Sequence, residues 1–196
     1  MIPVTSTLNA FVKQSWAGLR AMLVFTALFG LLYPAVVWGV GRVVAPDQSA
    51  GSLVTVHGTV AGSSLLGQQW TGAQWFSGRP SASSYSGDTS GGSNLSGAAL
   101  GAEVANRAAA AGLDPATTPA DALTASASGL DPHISPAYAA AQVPRVAAAR
   151  GLDVARVRAL VAAHTQDRIG GFLGEPRVNV LELNLALERL AAPGNG

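Results

Sequence analysis

Few residues in this 196-residue sequence are of types that carry chemistry. The three histidines, His57, His133 and His164, have no ligand-like spacing to each other or to acids. Each therefore reads as a packing or surface residue before a metal ligand. Cysteine is absent, which removes disulfides, thiolate metal sites and thiol nucleophiles. Lys13 is the sole lysine, so the body of the chain has no Walker-type phosphate loop, Schiff-base lysine or Ser-x-x-Lys site. No two carboxylates stand at helical spacing in an apolar setting, and general acid–base catalysis finds no pair. A net charge of +1 offers no basic face for nucleic acid.

Two runs of Ser and Gly are left to consider. Gly87-Asp88-Thr89-Ser90-Gly91-Gly92 is close to the Gly-Asp-Ser-Gly-Gly run around a protease nucleophile, but Thr89 interrupts it and no Gly-x-Ser-x-Gly elbow occurs. SGGSNL (90–95) has the look of a phosphate-binding signature, in which Gly amides at a helix N-terminus meet the anion. A plain Gly-Ser turn would give the same letters. On its residues alone, the chain reads as a non-catalytic body.

The elements that must carry these residues follow from where charge is missing. Only 12% of residues are charged, about half the usual share. Residues 21–41, AMLVFTALFGLLYPAVVWGVG, carry none and as a helix would reach about 31 Å, against a hydrocarbon core of about 30 Å. A signal peptide is the competing reading, but its apolar region is shorter and needs a small-x-small cleavage site, which the sequence after residue 41 supplies poorly. A retained transmembrane helix over 21–41 is expected, with Pro34 inside it. Ala35 and Gly39 give it a small-residue face for a partner helix. Lys13 and Arg20 precede the run and only Arg42 follows closely, so residues 1–20 should be cytoplasmic and 43–196 outside.

The body, 43–196, reads as one soluble α+β domain: short strands, a Ser/Gly-rich loop region, then helices. Segment 52–70 mixes β-branched residues with Gly and Ser, the pattern of short strands and turns. Segment 77–97 fits a flexible linker or a folded loop pinned by Trp70, Trp75, Phe76 and Tyr85. After Leu100 the pattern turns helical. Thr118-Pro119-Ala120-Asp121 and Ser135-Pro136 predict helix starts, with Thr118 and Ser135 as caps. Pro144 predicts a kink or two short helices, and Asp153 a cap for the next helix. Residues 178–190 alternate as a strand and also repeat as a helix; Asn179 as a cap and the Leu/Ala/Glu content favour helix.

Taken in order, LLGQQW (65–70), FSGRPSA (76–82), SGGSNL (90–95), PADALTASASGLDPHISPAYA (119–139), QVPRVAAARGL (142–152) and GEPRVNVLELNLAL (174–187) closely resemble the C subunit of the bacterial Kdp potassium-transporting ATPase. The likeness runs from about Leu19 to Leu190. It departs after SGGSNL, where the family continues with a Gly-Pro-Ser-Asn stretch and this chain has SGAAL. The resemblance implies a single-span protein of the bacterial inner membrane that binds no cofactor covalently. It implies three partners: a channel-like potassium-binding subunit, a P-type pump subunit that hydrolyses ATP, and a very small membrane subunit. Potassium is carried by those partners. The family member is described as a catalytic chaperone that supports assembly and raises the pump's ATP affinity, and its body as lying near the potassium entrance.

Two readings of the residues follow from it. In one, the external body acts through the helix and by docking, with Arg79, Asp131, Pro132, Arg145, Asn179 and the Ala35/Gly39 face as contacts. In the other, Gln68, Ser90, Gly91, Gly92, Ser93 and Asn94 approach ATP. For Arg79, Asp131 and Arg145 an internal role competes, since charges in so charge-poor a body often pair within it. An independent anchored hydrolase is the third reading, and the missing catalytic groups speak against it.

Overall fold

The computed structural model describes residues 4–191. Residues 1–3 and 192–196, the ends of the expected 1–20 and 43–196 segments, lie outside them. The chain forms two compact units, Met1–Ser52 and Leu53–Gly196.

In the first unit, helix α1 (Val4–Phe25) passes into a π-helical stretch, Thr26–Leu32, and then into α2 (Tyr33–Val44). Within this run Asn9–Val44 is long and apolar enough to cross a membrane. The widened turn has a cause in the sequence. Pro34 has no N–H to give the Gly30 carbonyl and its ring would collide with that oxygen in a regular α-turn. Immediately before it, the Tyr33 N–H reaches back five residues to the Leu28 carbonyl, the bond of a π-turn. One short turn, α3 (Pro46–Ser49), follows.

The second unit opens with a hairpin, β1 (Leu53–Val56) and β2 (Thr59–Ser63), antiparallel with an irregularity at Val54/Thr55. His57 and Gly58 both take positive φ, 50° and 80°, as a two-residue hairpin turn that follows strand twist requires. Segment 64–96 then runs without helix or strand. Helix α4 (Gly97–Ala111) and the single turn α5 (Ala120–Leu123) lead to β3 (His133–Ile134), α6 (Pro136–Arg150), α7 (Val154–Ala163), β4 (Thr165–Gln166), β5 (Arg177–Asn179) and α8 (Val180–Ala191). The three short strands form a second antiparallel sheet in the order β3-β5-β4.

Several local expectations meet the coordinates directly. Ser135 caps α6 through the Tyr138 N–H, and Asp153 caps α7 through the Ala155 and Arg156 amides. Thr118 does not cap a long helix: α5 is one turn, and Pro119 stands at its N-cap. Helix α6 runs unbroken through Pro144 and does not divide into two short helices. The ambiguous stretch at 178 is both things in turn, strand to Asn179 and helix after it. The Asn179 Oδ1 accepts the Glu182 N–H at 3.2 Å and so caps α8.

The core lies between α6, α7, α8 and the second sheet. Val143, Val146, Val157, Val178, Leu183 and Leu187 are fully buried there, with Ile134 and Val180. Phe76 is also fully buried, so the irregular segment contributes a ring to the same core. Burying that ring forces the Phe76 peptide groups inside, where unpaired they would be costly. Asn184 on α8, itself fully buried, answers them: its Oδ1 accepts the Phe76 N–H and its Nδ2 donates to the Phe76 carbonyl, each at 2.9 Å.

Replacing Asn184→Ala should therefore destabilise the body by about 2–4 kcal/mol, since two buried backbone groups lose their partners. Urea unfolding of the detergent-solubilised chain, followed by the near-UV signal of Trp70 and Trp75, measures this. A change below about 0.5 kcal/mol would show the Phe76 backbone pairs elsewhere.

Candidate functional site

Arg79 and Asp131 sit at the centre of the polar arrangement. Arg79 leaves the irregular segment and Asp131 the loop before β3. Their Nη1···Oδ2 distance is 3.3 Å, with both side chains about 30% exposed, 27% and 30%. Arg79 Nη2 also lies 3.4 Å from the Ala125 carbonyl and 3.5 Å from the Thr124 carbonyl. The Arg79 carbonyl accepts the Tyr85 hydroxyl. Burial pushes the Tyr85 phenol up to about 12, with the nearby Tyr138 and Asp131 adding to the rise. Asp131 Oδ1 accepts the His133 amide at 3.0 Å, with the His133 ring nitrogen 3.7 Å away. Burial raises the Asp131 carboxyl, but the His133 side chain, the His133 amide and the Arg79 guanidinium outweigh it and hold it below the usual carboxylate range.

Around that pair, two loops are joined backbone to backbone. Gly67 N–H donates to the Leu130 carbonyl at 2.7 Å, Ser126 N–H to Pro80 at 3.0 Å and Gly91 N–H to Ser128 at 2.8 Å. Contact is close enough at Gly67 that a Cβ there would come within 2.5 Å of the Asp131 carbonyl oxygen, and at Gly92 within 2.6 Å of that of Ala127. Only glycine allows those approaches.

Two open clefts share the Arg79–Asp131 pair. One of about 580 Å³ takes in Leu65, Leu66, Ser90, Ser128 and Pro132; the other, about 480 Å³, takes in Asp121, His133, Glu175 and Arg177. Thus Arg79, Asp131, Pro132 and Ser90, four of the residues picked out by sequence, line one cleft. Arg145 and Asn179 lie elsewhere. Arg145 Nη1 donates to the Ala73 carbonyl at 2.8 Å and Nη2 to Gln142 Oε1 at 2.7 Å. Asn179 Nδ2 donates to the Ser64 carbonyl at 2.8 Å. Ala35 and Gly39 belong to the other unit, on α2, where nothing lies within 4 Å of a Cβ built on Gly39.

Of the residues proposed for nucleotide, Gln68, Ser90 and Gly91 have donors engaged within the chain. Gln68 Nε2 donates to the Ala61 carbonyl at 3.3 Å, folded over Gly62. The Gly91 amide and the Ser90 hydroxyl both give their hydrogens to the Ser128 carbonyl. Asn94 bends the chain with φ 52°, and the departing SGAAL residues enter α4. A phosphate cradle needs amides and a cation aimed at one point, and two of these donors, the Ser90 hydroxyl and the Gly91 amide, already face the Ser128 carbonyl.

The K+-transporting ATPase, c chain, family model matches residues 15–189. The chain belongs to that family. A potassium-transporting ATPase KdpC subunit of Kineococcus radiotolerans is 54% identical over 194 residues, covering 95% of this chain and 98% of its own. Those of Variovorax paradoxus and Geobacter sulfurreducens are 52% and 48% identical, covering 85% and 91% of this chain and 91% and 99% of their own.

Family motifs thus map onto the joints of the body. Sequence reasoning passed over three of these joints. Gln142 receives the Ser77 N–H at 2.8 Å and donates to the Ser77 carbonyl at 3.1 Å. Asn184 does the same for Phe76. Arg150 holds the Gln74 carbonyl at 2.8 Å while its guanidinium lies 4.2 Å from the Trp75 ring centre. The available signal was a polar residue on the apolar face of a helix, Asn184 between Leu183 and Leu185.

A carboxyl held low when folded stabilises fully above its unfolded value, about 3.9. That stability is lost as pH falls through the lower folded value. Asp131→Asn should accordingly flatten the acid limb of a stability–pH curve below about pH 4. Equal acid slopes for the two proteins would mean Asp131 carries no such linkage.

Proposed function

We propose that this chain is a non-catalytic accessory subunit of a high-affinity, ATP-driven potassium uptake complex in the bacterial inner membrane. Its helix crosses the membrane once and its body stands outside the cytoplasm. There it supports assembly, caps the potassium entrance of the channel-like subunit, and raises the ATP affinity of the P-type pump subunit without touching nucleotide. Family membership over residues 15–189 supports the subunit role. Lys13 and Arg20 before the helix against Arg42 after it support the sidedness.

One observation favours the indirect route over nucleotide contact: the Gln68 amide, the Ser90 hydroxyl and the Gly91 N–H are held by the chain's own carbonyls. Potassium, the transported substrate, would pass through the partners, because filters take rings of backbone carbonyls. The chain's part is to position: a body stitched by Arg79, Gln142, Arg145 and Asn184 keeps one shape as it docks. The helix, with Ala35 and Gly39 toward a partner helix, couples that docking to the membrane subunits.

Alkaline phosphatase, active only outside the cytoplasm, fused after Gly196 should be strongly active in cells; an inactive fusion expressed at the same level would sink the external body. Photolabelling of the assembled complex with azido-ATP should mark the pump subunit and leave this chain unlabelled. Labelling of this chain that Gln68→Ala abolishes would replace the indirect route by direct contact.

A further inference from the structure

The π-helical stretch of the membrane helix leaves one backbone acceptor without a donor. The Tyr33 N–H goes to the Leu28 carbonyl, five residues back. In that register the next N–H would serve the Phe29 carbonyl, and the next residue is Pro34, which has none. Ala35 follows, and its N–H serves Gly30 at π-helical spacing or Leu31 at α-helical spacing. Either way the Phe29 carbonyl receives no hydrogen from its own helix. It stands two residues from the middle of the uncharged run 21–41, about 3 Å along a helix axis. Hydrocarbon holds no water to pair with it, so leaving it bare is costly.

The chain's own side chains leave this oxygen open. Helix carbonyls point toward the C-terminus, whereas side chains lean toward the N-terminus. The Phe29 ring accordingly stacks on Phe25, one turn earlier, with centroids 5.9 Å apart. Gly30 comes next, and a Cβ built there would meet only the Thr26 methyl, at 3.7 Å. With no side chain at that position, a second helix can come close to the backbone at this level.

We propose that a side-chain amide, Asn or Gln, on a transmembrane helix of the channel-like subunit donates a hydrogen bond to the Phe29 carbonyl. This rests on the accessory-subunit reading and gives its membrane helix a polar contact. Membrane helices associate in part through such bonds. An amide suits the task because it carries two hydrogens, whereas a helical Ser or Thr hydroxyl gives its one hydrogen to a carbonyl of its own helix. Lipid chains have no donor. A second copy has no amide to offer, since no Asn or Gln occurs between Gln14 and Gln48. Only residues 45–52 separate α2 from the first strand, so a body seated on the channel-like subunit keeps the helix beside that same subunit.

The test uses the full-length chain co-expressed with the other subunits. Benzoylphenylalanine at position 29, which keeps an aromatic ring there, should cross-link to the channel-like subunit within one helical turn of an Asn or Gln. Pro34→Ala restores an N–H and lets the helix pair its own carbonyls. Association with that subunit should then weaken about threefold, the size of one interhelical hydrogen bond. Circular dichroism of the isolated variant in detergent should show its helix content kept. Replacing the partner's amide by Leu should weaken association by the same factor, and the two changes together should cost no more than either alone. Additive losses, no loss on Pro34→Ala, or cross-links with no Asn or Gln within a turn would overturn the contact. So would links only to lipid, to a second copy or to a different subunit. A wild-type chain that purifies without the other subunits would sink the subunit role itself, and the contact with it.

Discussion

Segment 64–96 has neither helix nor strand, and part of it is buried, so its peptide groups must be paired by other parts of the chain. That requirement organises the body. Asn184 from α8 and Gln142 from α6 each grip both polar groups of one residue, Phe76 and Ser77. Arg145 and Arg150 from the same α6 hold the carbonyls of Ala73 and Gln74. Helix side chains here do what neighbouring strands do in a sheet. With Phe76 drawn into the core, hydrophobic burial and hydrogen-bond pairing fix the same few residues.

The Arg79–Asp131 pair extends this logic to the second loop. At about 30% exposure the ion pair alone contributes little stability. Its effect is to set where the 124–134 loop lies, together with the backbone bonds from Gly67, Gly91 and Ser126. The low charge content fits such a body. Where arginines are few, Arg79 within the loop region and Arg145 and Arg150 from α6 are committed to its carbonyls or to the single Asp131 carboxylate.

The candidate site was legible to differing depths. Arg79, Asp131, Pro132 and Ser90 could be picked from motifs, and they share a cleft. Their separation in sequence gave no hint that the loops bond backbone to backbone, because such pairing follows loop closure and leaves no periodic pattern. Gln68 and the SGGSNL run had the letters of an anion site, yet the Gln68 amide, the Ser90 hydroxyl and the Gly91 N–H turn to neighbouring carbonyls. Letters specify which groups exist; the path of the loop decides what they face.

By itself the sequence determined the long apolar helix, short strands and turns within 52–70, the caps at Ser135, Asp153 and Asn179, the family, and the division between an uncharged loop region and a helical tail. These depend on local periodicity, on turn chemistry and on one-residue hydrogen bonds, all of which are written within a few positions. Only the tertiary structure decided that Pro144 stays inside one helix, that α5 is a single turn and that Asn184 and Gln142 hold a loop over 60 residues away in sequence. Those outcomes depend on packing between distant segments, where burial can override a local preference and a side chain's partner is chosen by proximity in space.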